Sequence, residues 1–234
     1  GVPNSVSLPA KPEGVEVGAD GRVLICTDGL TTSSLANVLL RYDGAQASQY
    51  QVLPVAFPQP PSTPSTLPSL LARATTQFNG ALRRTPDGAY IVGVSPITNG
   101  TSTAVYVYEV ASGNVLQTRA AVGQSSTLSV AADGLSFMAG FTLYDIRTLN
   151  VLAQQNSANA PFTMTNFSTT FNVGGSVFSP DGKTLYSAFN TAALTMPPPP
   201  PQAYTLLISD PRNLAITLGI NLPQSIVGDR KSTR

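Results

Sequence analysis

The chain has 234 residues and a net charge of +1, and 11% of its residues are charged, against roughly 25% in a typical soluble domain. This balance argues against nucleic acid as a partner, and no apolar run is long enough to predict a membrane span. The sequence contains no histidine, so Ser-His-Asp and Cys-His mechanisms and the most common metal ligand are excluded within it.

The chain begins with a segment that we assign to the tail of a preceding repeat. Residues 1–12 contain a Leu-Pro pair ahead of a predicted strand, a pattern that returns in NLPQSIVG near the other end. The first full repeat is predicted over residues 13–70. It contains Asp20-Gly21 between two runs of alternating apolar residues, which predicts a β-hairpin whose type I′ turn has positive φ at both residues.

Two residues that follow this first turn, Cys26 and Asp28, are relevant to function. Cys26 is the one cysteine of the sequence, and we interpret it as a buried apolar side chain rather than a nucleophile. Asp28 begins a long predicted loop, and we select it as a candidate binding residue. Of the twelve acidic residues, only Glu13, Glu16 and Asp28 remain when the predicted turn positions and the terminal Asp229 are set aside.

The second repeat, predicted over residues 78–123, contains the turn pair Asp87-Gly88. Arg83 and Arg84 lie on the strand before this turn. They form the one pair of adjacent basic residues within the four predicted repeats. If first strands line a central channel, these arginines are candidate contacts for an anion. The alternative is that they are simply exposed to solvent.

The third and fourth repeats, predicted over residues 124–170 and 173–222, contain the same signature. Their turn pairs are Asp133-Gly134 and Asp181-Gly182. We also select Asn99 and Asn190 as candidate binding residues, because each lies in a long predicted loop.

Each repeat continues past its Asp-Gly hairpin with a second pair of predicted strands. An alternating apolar strand ends in an acidic residue, a tight turn follows, and a fourth strand completes the unit. The acidic residues at this position are Asp43, Glu109, Asp145 and Asp210. Four short antiparallel strands with a period of about 46–48 residues in the later repeats predict the blades of a β-propeller.

Two stretches of the fourth repeat, SPDGKTLYSA and LLISDPRNLAI, resemble the YVTN-type repeat of bacterial β-propellers. The resemblance covers roughly residues 13–222 and is closest in the fourth repeat. It implies a bacterial protein that is secreted, periplasmic or held at the cell surface. It implies no particular activity and no cofactor, and we expect neither a cofactor nor a metal ion.

The predicted fold is therefore an all-β propeller of four-stranded antiparallel blades, with about four blades present. Propellers commonly have 4–8 blades, so we expect an open arc of a larger ring whose other blades are missing here. Residues 223–228 are predicted to start a next blade, and residues 229–234 are predicted to be a non-native tail.

The long predicted loops all belong to one class of connection. They join the second strand to the third, or one blade to the next, whereas the Asp-Gly turns and the turns after the third strands are short. In an antiparallel blade these two classes lie at opposite edges. Since loops on a rigid scaffold often carry function, we predict binding at the edge with the long loops.

Three hypotheses about function follow. The first is a non-catalytic binding or scaffolding propeller with an unidentified protein or glycan partner. The second is a lactonase-like propeller hydrolase whose site is completed by blades outside this sequence, an analogy at the level of fold. The third is a structural module of a larger surface protein. The absence of histidine and the few spare carboxylates make a non-enzymatic role our preferred interpretation.

Overall fold

The computed structural model of the chain describes residues 5, 7–8, 11–27, 38–44, 50–54, 80–96, 102–122, 128–140, 142–154, 173–189 and 203–226. These residues form β-strands and no helix, and therefore no helix long and apolar enough to cross a membrane. The strands make four sheets, each of four antiparallel strands in chain order. The predicted all-β fold of four-stranded blades is confirmed, and we number the sheets blades 1 to 4.

The four blades have closely similar strand patterns. Blade 1 contains β1 (Pro12–Val17), β2 (Val23–Thr27), β3 (Val38–Tyr42) and β4 (Tyr50–Pro54). Blade 2 contains β5 (Ala81–Arg84), β6 (Tyr90–Pro96), β7 (Ser102–Glu109) and β8 (Asn114–Val122). Blade 3 contains β9 (Leu128–Val130), β10 (Ser136–Ala139), β11 (Thr142–Asp145) and β12 (Val151–Gln154). Blade 4 contains β13 (Val173–Phe178), β14 (Leu185–Phe189), β15 (Ala203–Ser209) and β16 (Ile216–Ile226).

Strand β16 is longer than the sequence pattern indicates. It continues through residues 223–226, and Ile226 pairs with Ala203 of β15 after a register shift. Residues 223–228 are predicted from the sequence to start a next blade. That assignment and the other predicted boundaries stay predictions.

The hydrophobic core lies between neighbouring blades rather than within one blade. Each of three clusters of buried side chains combines residues of two consecutive blades, because alternating residues of a strand face opposite sides of its sheet. Examples are Leu24 with Tyr106 for blades 1 and 2, Val107 with Phe137 for blades 2 and 3, and Met138 with Phe178 for blades 3 and 4. Full burial of such a side chain contributes about 1.5–3 kcal/mol.

The first strands of the blades lie side by side on the inner side of the arc. Strand β1 contacts β5, β5 contacts β9, and β9 contacts β13. Between blades 3 and 4 the contact includes a hydrogen bond of 2.8 Å between the hydroxyls of Ser129 and Ser176. The inner strands therefore bring residues of different repeats together.

The Asp-Gly turns differ from the predicted type I′ geometry. The glycines Gly21, Gly88, Gly134 and Gly182 have φ values of 77°, 70°, 70° and 68°, but none of the aspartates before them has a positive φ. The amide of the glycine donates to the carbonyl three residues earlier, as Gly88 does to Thr85 over 2.9 Å. The turns are thus longer loops in which only the glycine is left-handed, an arrangement that places no steric demand on the aspartate.

The turns between the third and fourth strands contain a second left-handed position. It is occupied by Gly113 in blade 2, but by Leu149 in blade 3 and Leu214 in blade 4, with φ values of 55° and 59°. Both leucines are only 3% exposed, so each buries its side chain in a core cluster. A left-handed backbone costs about 1–2 kcal/mol in a residue with a side chain, and this burial offsets that cost.

Candidate functional site

Arg83 and Arg84 lie on β5, the inner strand of blade 2, and both are exposed. Arg83 Nη1 donates to the carbonyl oxygen of Leu82 over 3.0 Å, and Arg84 Nη1 reaches the carbonyl oxygen of Val17 in blade 1 over 3.5 Å. The two guanidinium groups therefore sit at the inner side of the junction between blades 1 and 2.

Glu16 of β1 faces these arginines across the junction. Its Oε1 lies 3.9 Å from Arg83 Nη1, and its side chain is 19% exposed against 60% for Arg83. Burial raises the pKa of the Glu16 carboxyl, while the charges of Arg83 and Arg84 and hydrogen bonds from the amides of Val17 and Arg84 oppose that rise. We call Glu16, Arg83 and Arg84 the inner charge cluster.

Glu16 is a functional candidate that the sequence analysis did not pair with the arginines. A signal was present: Glu16 lies four residues before Asp20, and Arg83 lies four residues before Asp87. Equivalent positions of consecutive repeats meet where inner strands are neighbours. The single carboxylate of Glu16 compensates only part of the positive charge of the two exposed guanidinium groups. The arginines of the cluster can therefore bind an anionic group.

The remaining predicted binding residues lie outside the described residues. They are Asp28, Asn99 and Asn190. The structure gives no position for them relative to the inner charge cluster, so their role stays a prediction.

The aspartates of the Asp-Gly turns accept hydrogen bonds from their own turns. The amide two residues onward donates to Oδ1 in each case, for example Leu135 to Asp133 over 2.9 Å. The same bond is made to Asp20 by Arg22, to Asp87 by Ala89 and to Asp181 by Lys183. In the second and fourth repeats a hydroxyl, from Thr85 or Ser179, also donates over 2.6 Å, and these bonds hold the pKa of Asp87 and Asp181 below its usual range.

The acidic residues after the third strands are used in a similar way. Asp145 Oδ1 accepts hydrogen bonds from the amides of Arg147 and Thr148 and from the Thr148 hydroxyl. Burial raises the pKa of Asp145, but these hydrogen bonds outweigh the effect of burial, so the pKa lies below its usual range. Asp210 is paired with Arg212 at 2.6 Å, which lowers its pKa to about 2. These carboxylates stabilise turns, and their edge of the blades is called the short-turn edge below.

A groove opens at the short-turn edge between blades 3 and 4. Its volume is about 720 Å³, and its walls include the two Asp-Gly turns and the third-to-fourth-strand turn of blade 4. The apolar side chains that line it include Leu135, Leu152 and Phe178, of which Leu135 is 59% and Leu152 is 52% exposed. We call it the blade 3–4 groove; the sequence analysis did not predict it.

Cys26 has the role expected from the sequence. Its side chain is 1% exposed in the core between blades 1 and 2, and burial raises the pKa of its thiol to about 12. A thiol in this setting is inert as a nucleophile. In the part of the chain that the structure describes, no three His, Cys, Asp or Glu side chains form a group that could hold a metal ion.

Comparison with solved structures identifies the fold. The chain is similar to Kuenenia stuttgartiensis hydrazine synthase (13% identity, TM-score 0.54, 94% of this chain and 65% of that one) and to the Dos1 propeller (12%, 0.57, 91% and 47%). It is also similar to the dihydro-heme d1 dehydrogenase NirN in complex with DHE (15%, 0.55, 92% and 38%). No family model and no curated protein sequence matches the chain. The fold is a β-propeller, and the chain spans less than two thirds of each of these solved chains.

Proposed function

We propose that this chain is part of a non-catalytic binding and scaffolding β-propeller, of the YVTN type and from a secreted or cell-surface bacterial protein. One observation carries the proposal: the two edges of the blades are built differently. The connections at the short-turn edge have four to seven residues, such as 85–89 and 43–49, whereas those at the opposite edge range from two residues (140–141) to eighteen (155–172) and twenty-six (55–80). We call the second edge the long-connection edge.

The strand order supports this division of the molecule. In a sheet of four antiparallel strands in chain order, the first and third connections leave one edge, and the second connection and the link to the next blade leave the other. The core between the blades is buried, so the packed sheets can position long connections for recognition of a protein or glycan. The exposed arginines of the inner charge cluster lie at the end of β5 beside the Asp87-Gly88 turn, so they offer a separate contact for an anionic group near the short-turn edge.

The outward faces of blades 1 and 4 support the presence of further blades. On blade 4, Val177 and Leu218 are 59% and 49% exposed; on blade 1, Val15 and Val17 are 54% and 43% exposed, while Ile25 and Leu40 on the same face are buried. On blade 4 these residues lie on the face opposite Phe178, which packs against blade 3. Apolar sheet faces of this kind fit the side of another blade, and we propose that blades of the same propeller cover them.

The gene provides the test of the missing blades. Reading it through both ends of this sequence is expected to reveal further Asp-Gly repeats at a similar spacing. A reading frame confined to these 234 residues would contradict that part of the proposal. In that case a second copy of the chain would have to cover the outward faces.

Binding at the long-connection edge is tested by shortening its connections. We would replace residues 55–80 and residues 155–172, separately, with short Gly-Ser links and measure binding to a glycan array and to immobilised cell-surface proteins. The expected result is loss of binding with unchanged strand content by circular dichroism. The matched control is Lys183→Ala, which alters an exposed side chain at the short-turn edge. Binding that survives both replacements would overturn the proposal.

The inner charge cluster gives one specific reason to keep a lactonase-like hydrolase as a second candidate. A carboxyl whose pKa is raised by burial can act as an acid or base, and two adjacent guanidinium groups can stabilise a developing negative charge. The test is lactone hydrolysis by the complete protein. Loss of that activity in Glu16→Gln and Asp28→Asn, with binding retained, would favour the enzyme; no hydrolysis by the wild type would eliminate it.

A further inference from the structure

The turn between the first and second strands of each blade contains an aspartate directly followed by glycine. Such a pair can rearrange without an enzyme. The glycine nitrogen bonds to the carboxyl carbon of the aspartate, and the carboxyl hydroxyl leaves with the amide proton as water. Water then opens the resulting succinimide ring; when it attacks the former main-chain carbonyl, isoaspartate forms and the main chain runs through the aspartate methylene. Glycine permits the first step because no side chain shields its nitrogen.

Two of these turns, in blades 2 and 4, hold the reacting carboxyl with a hydroxyl group. In blade 2, Thr85 Oγ1 donates to Asp87 Oδ1 over 2.6 Å and accepts a hydrogen bond from the amide of Tyr90 over 3.0 Å, so it ties the carboxyl to the far end of the turn. The turn of blade 4 has the same two bonds, with distances of 2.6 and 2.9 Å, among Ser179, Asp181 and Thr184. Proline precedes the aspartate in both turns and fixes one backbone torsion. We call these the capped turns.

The turns of blades 1 and 3 contain no hydroxyl at the position of Thr85. The residues that occupy it are Gly18 and Ala131. Asp20 has a second restraint in blade 1, because Arg22 Nη1 lies 3.5 Å from its Oδ2. For Asp133 the described part of the chain provides a single hydrogen bond, from the amide of Leu135 to Oδ1 over 2.9 Å. Asp133 is therefore the least restrained of the four carboxyls.

Restraint of the carboxyl acts directly on this reaction. Attack requires the side chain to rotate until its carboxyl carbon faces the glycine nitrogen, so the hydrogen bonds of the carboxyl must break first. The glycine amide must also be released, but all four turns share that step, since each glycine donates to the carbonyl three residues earlier over 2.9–3.0 Å. The hydroxyl bonds also hold the pKa of Asp87 and Asp181 below its usual range. A carboxylate lacks the hydroxyl that leaves as water, so both effects slow the reaction in the capped turns.

We propose that Asp133 is a site of spontaneous isoaspartate formation and the fastest of the four Asp-Gly turns. The reaction lengthens the main chain between β9 and β10 by one methylene group and displaces the oxygen that accepts from the Leu135 amide. Gly134 of the same turn faces Thr85 and Pro86 of blade 2, so the change alters the surface of the short-turn edge where blades 2 and 3 meet. The proposal does not depend on the proposed function, which places recognition at the long-connection edge.

The test is peptide mapping of the 234-residue chain after weeks of incubation at mildly acidic pH, where part of each carboxyl is protonated. Trypsin places the four aspartates on separate peptides, since it cuts after arginines that lie between them, namely Arg22, Arg84, Arg119 and Arg147. Electron-transfer fragmentation distinguishes isoaspartate from aspartate. Asp133 is expected to react about fivefold faster than Asp87 or Asp181, the factor that one hydrogen bond to the carboxyl accounts for. A rate at Asp133 equal to or below that of another turn would overturn the proposal.

A control in concentrated urea separates the folded turn from its sequence. Glycine follows the aspartate in all four turns, so the four rates are expected to converge when the chain is unfolded. A preference for Asp133 that persists unchanged in urea would also overturn the proposal. Asn79 and Asn99 precede glycine as well, but their deamidation changes the mass of the peptide, whereas isomerisation of aspartate does not. The two reactions are therefore counted separately.

Two variants locate the cause in the hydroxyl. Ala131→Ser with Ala132→Pro gives blade 3 the Ser-Pro-Asp-Gly turn of blade 4, and it is expected to slow the reaction at Asp133 about fivefold. Ser179→Ala removes the hydroxyl bond to Asp181 and is expected to accelerate the reaction there about fivefold. Each variant contains its own control, because the other three turns are intact and should keep their rates. An unchanged rate at either aspartate would contradict the proposal.

Discussion

The junction between blades 1 and 2 and the junction between blades 3 and 4 are built from the same repeat, yet one is closed at the short-turn edge and the other is open. At the first, the amide of Ala19 donates to the carbonyl of Gly88 over 3.0 Å, so the two Asp-Gly turns touch. A Cβ atom added to Gly88 would lie 3.1 Å from the nitrogen of Ala19. The equivalent Cβ at Gly182 would meet no described atom within 4 Å.

The middle junction has an intermediate geometry. A Cβ atom added to Gly134 would lie 3.6 Å from Pro86, an ordinary van der Waals distance. The three junctions therefore open progressively along the chain at this edge, while the core beneath them stays buried in all three. In this chain the packing between the sheets is kept at every junction, whereas the distance between the Asp-Gly turns varies. A gap between two such turns can therefore form a binding groove.

The largest effect is expected for Gly93→Ala in the core of the closed junction. Gly93 pairs with Tyr106 across β6 and β7, and the fully buried ring of Tyr106 lies over the space that a Cβ atom would need. The ring has no room to move, so we expect a loss of about 1–3 kcal/mol in the free energy of unfolding. Urea denaturation measures it.

The matched control for this substitution is Gly175→Ala in β13. No described atom lies within 4 Å of its added Cβ, and its φ is not positive. An alanine in this strand is expected to be neutral or slightly stabilising, since glycine weakens a strand. Similar losses in both variants would show that the buried ring of Tyr106 is not the cause.

The second effect compares Gly88→Ala with Gly182→Ala. Both glycines are left-handed, with φ of 70° and 68°, so the backbone strain of about 1–2 kcal/mol is shared. Only Gly88 also contacts the backbone of Ala19, so Gly88→Ala is expected to lose about 1 kcal/mol more. The difference between their urea midpoints measures how tightly the first junction is closed. Equal losses would mean that the two junctions are equally open in solution.

The third effect is expected for Arg41→Ala, which removes the hydrogen bond that Arg41 of blade 1 donates to the carbonyl oxygen of Gly113 in blade 2. Arg41 also bonds Gln51 on the neighbouring strand, and its removal leaves the carbonyl of Gly113 without this donor. A decrease of about 1 kcal/mol in the free energy of unfolding is expected, because a charged donor is lost at a partly buried carbonyl. Arg147→Ala is the control, since Arg147 is an exposed arginine in a turn. A loss of the same size there would argue against the contact with Gly113.

The repeat made the blades predictable, and the contacts between repeats were harder to foresee. Asp-Gly pairs and alternating apolar residues predict strands because both signals are local. Leucine at a left-handed position contradicts every local preference, and Leu149 adopts it because burial in the neighbouring junction outweighs the strain. The pairing of Glu16 with Arg83 likewise depends on the side-by-side arrangement of inner strands, which no single repeat encodes. Arg83 and Arg84 could be selected as candidates from the sequence because adjacent charges are visible in one strand, and their role stays a prediction.

The smallest effects are on how the free energy of unfolding changes with pH. They are expected to have opposite signs at the two junctions. Burial raises the pKa of Glu16 above its ordinary value of 4.5, so the folded protein holds this proton more tightly than the unfolded chain. Its contribution to stability is therefore present below pH 4.5 and is lost as the pH rises through the folded pKa. Glu16→Gln is expected to match the wild type at pH 3 and to be slightly more stable at pH 7.

At the open junction, Asp210 is expected to act in the opposite direction. Arg212 holds the pKa of Asp210 at about 2, below its ordinary value of 3.8, so its contribution is present above pH 3.8 and is lost as the pH falls through about 2. Asp210→Asn should then be slightly less stable than the wild type at pH 7, and the difference should shrink as the pH falls to 2. Urea midpoints measured from pH 2 to pH 7 give both curves. If the two variants differed from the wild type with the same sign at neutral pH, the burial of Glu16 would not be the dominant influence on its pKa, and the closed junction would be more hydrated than its packing indicates.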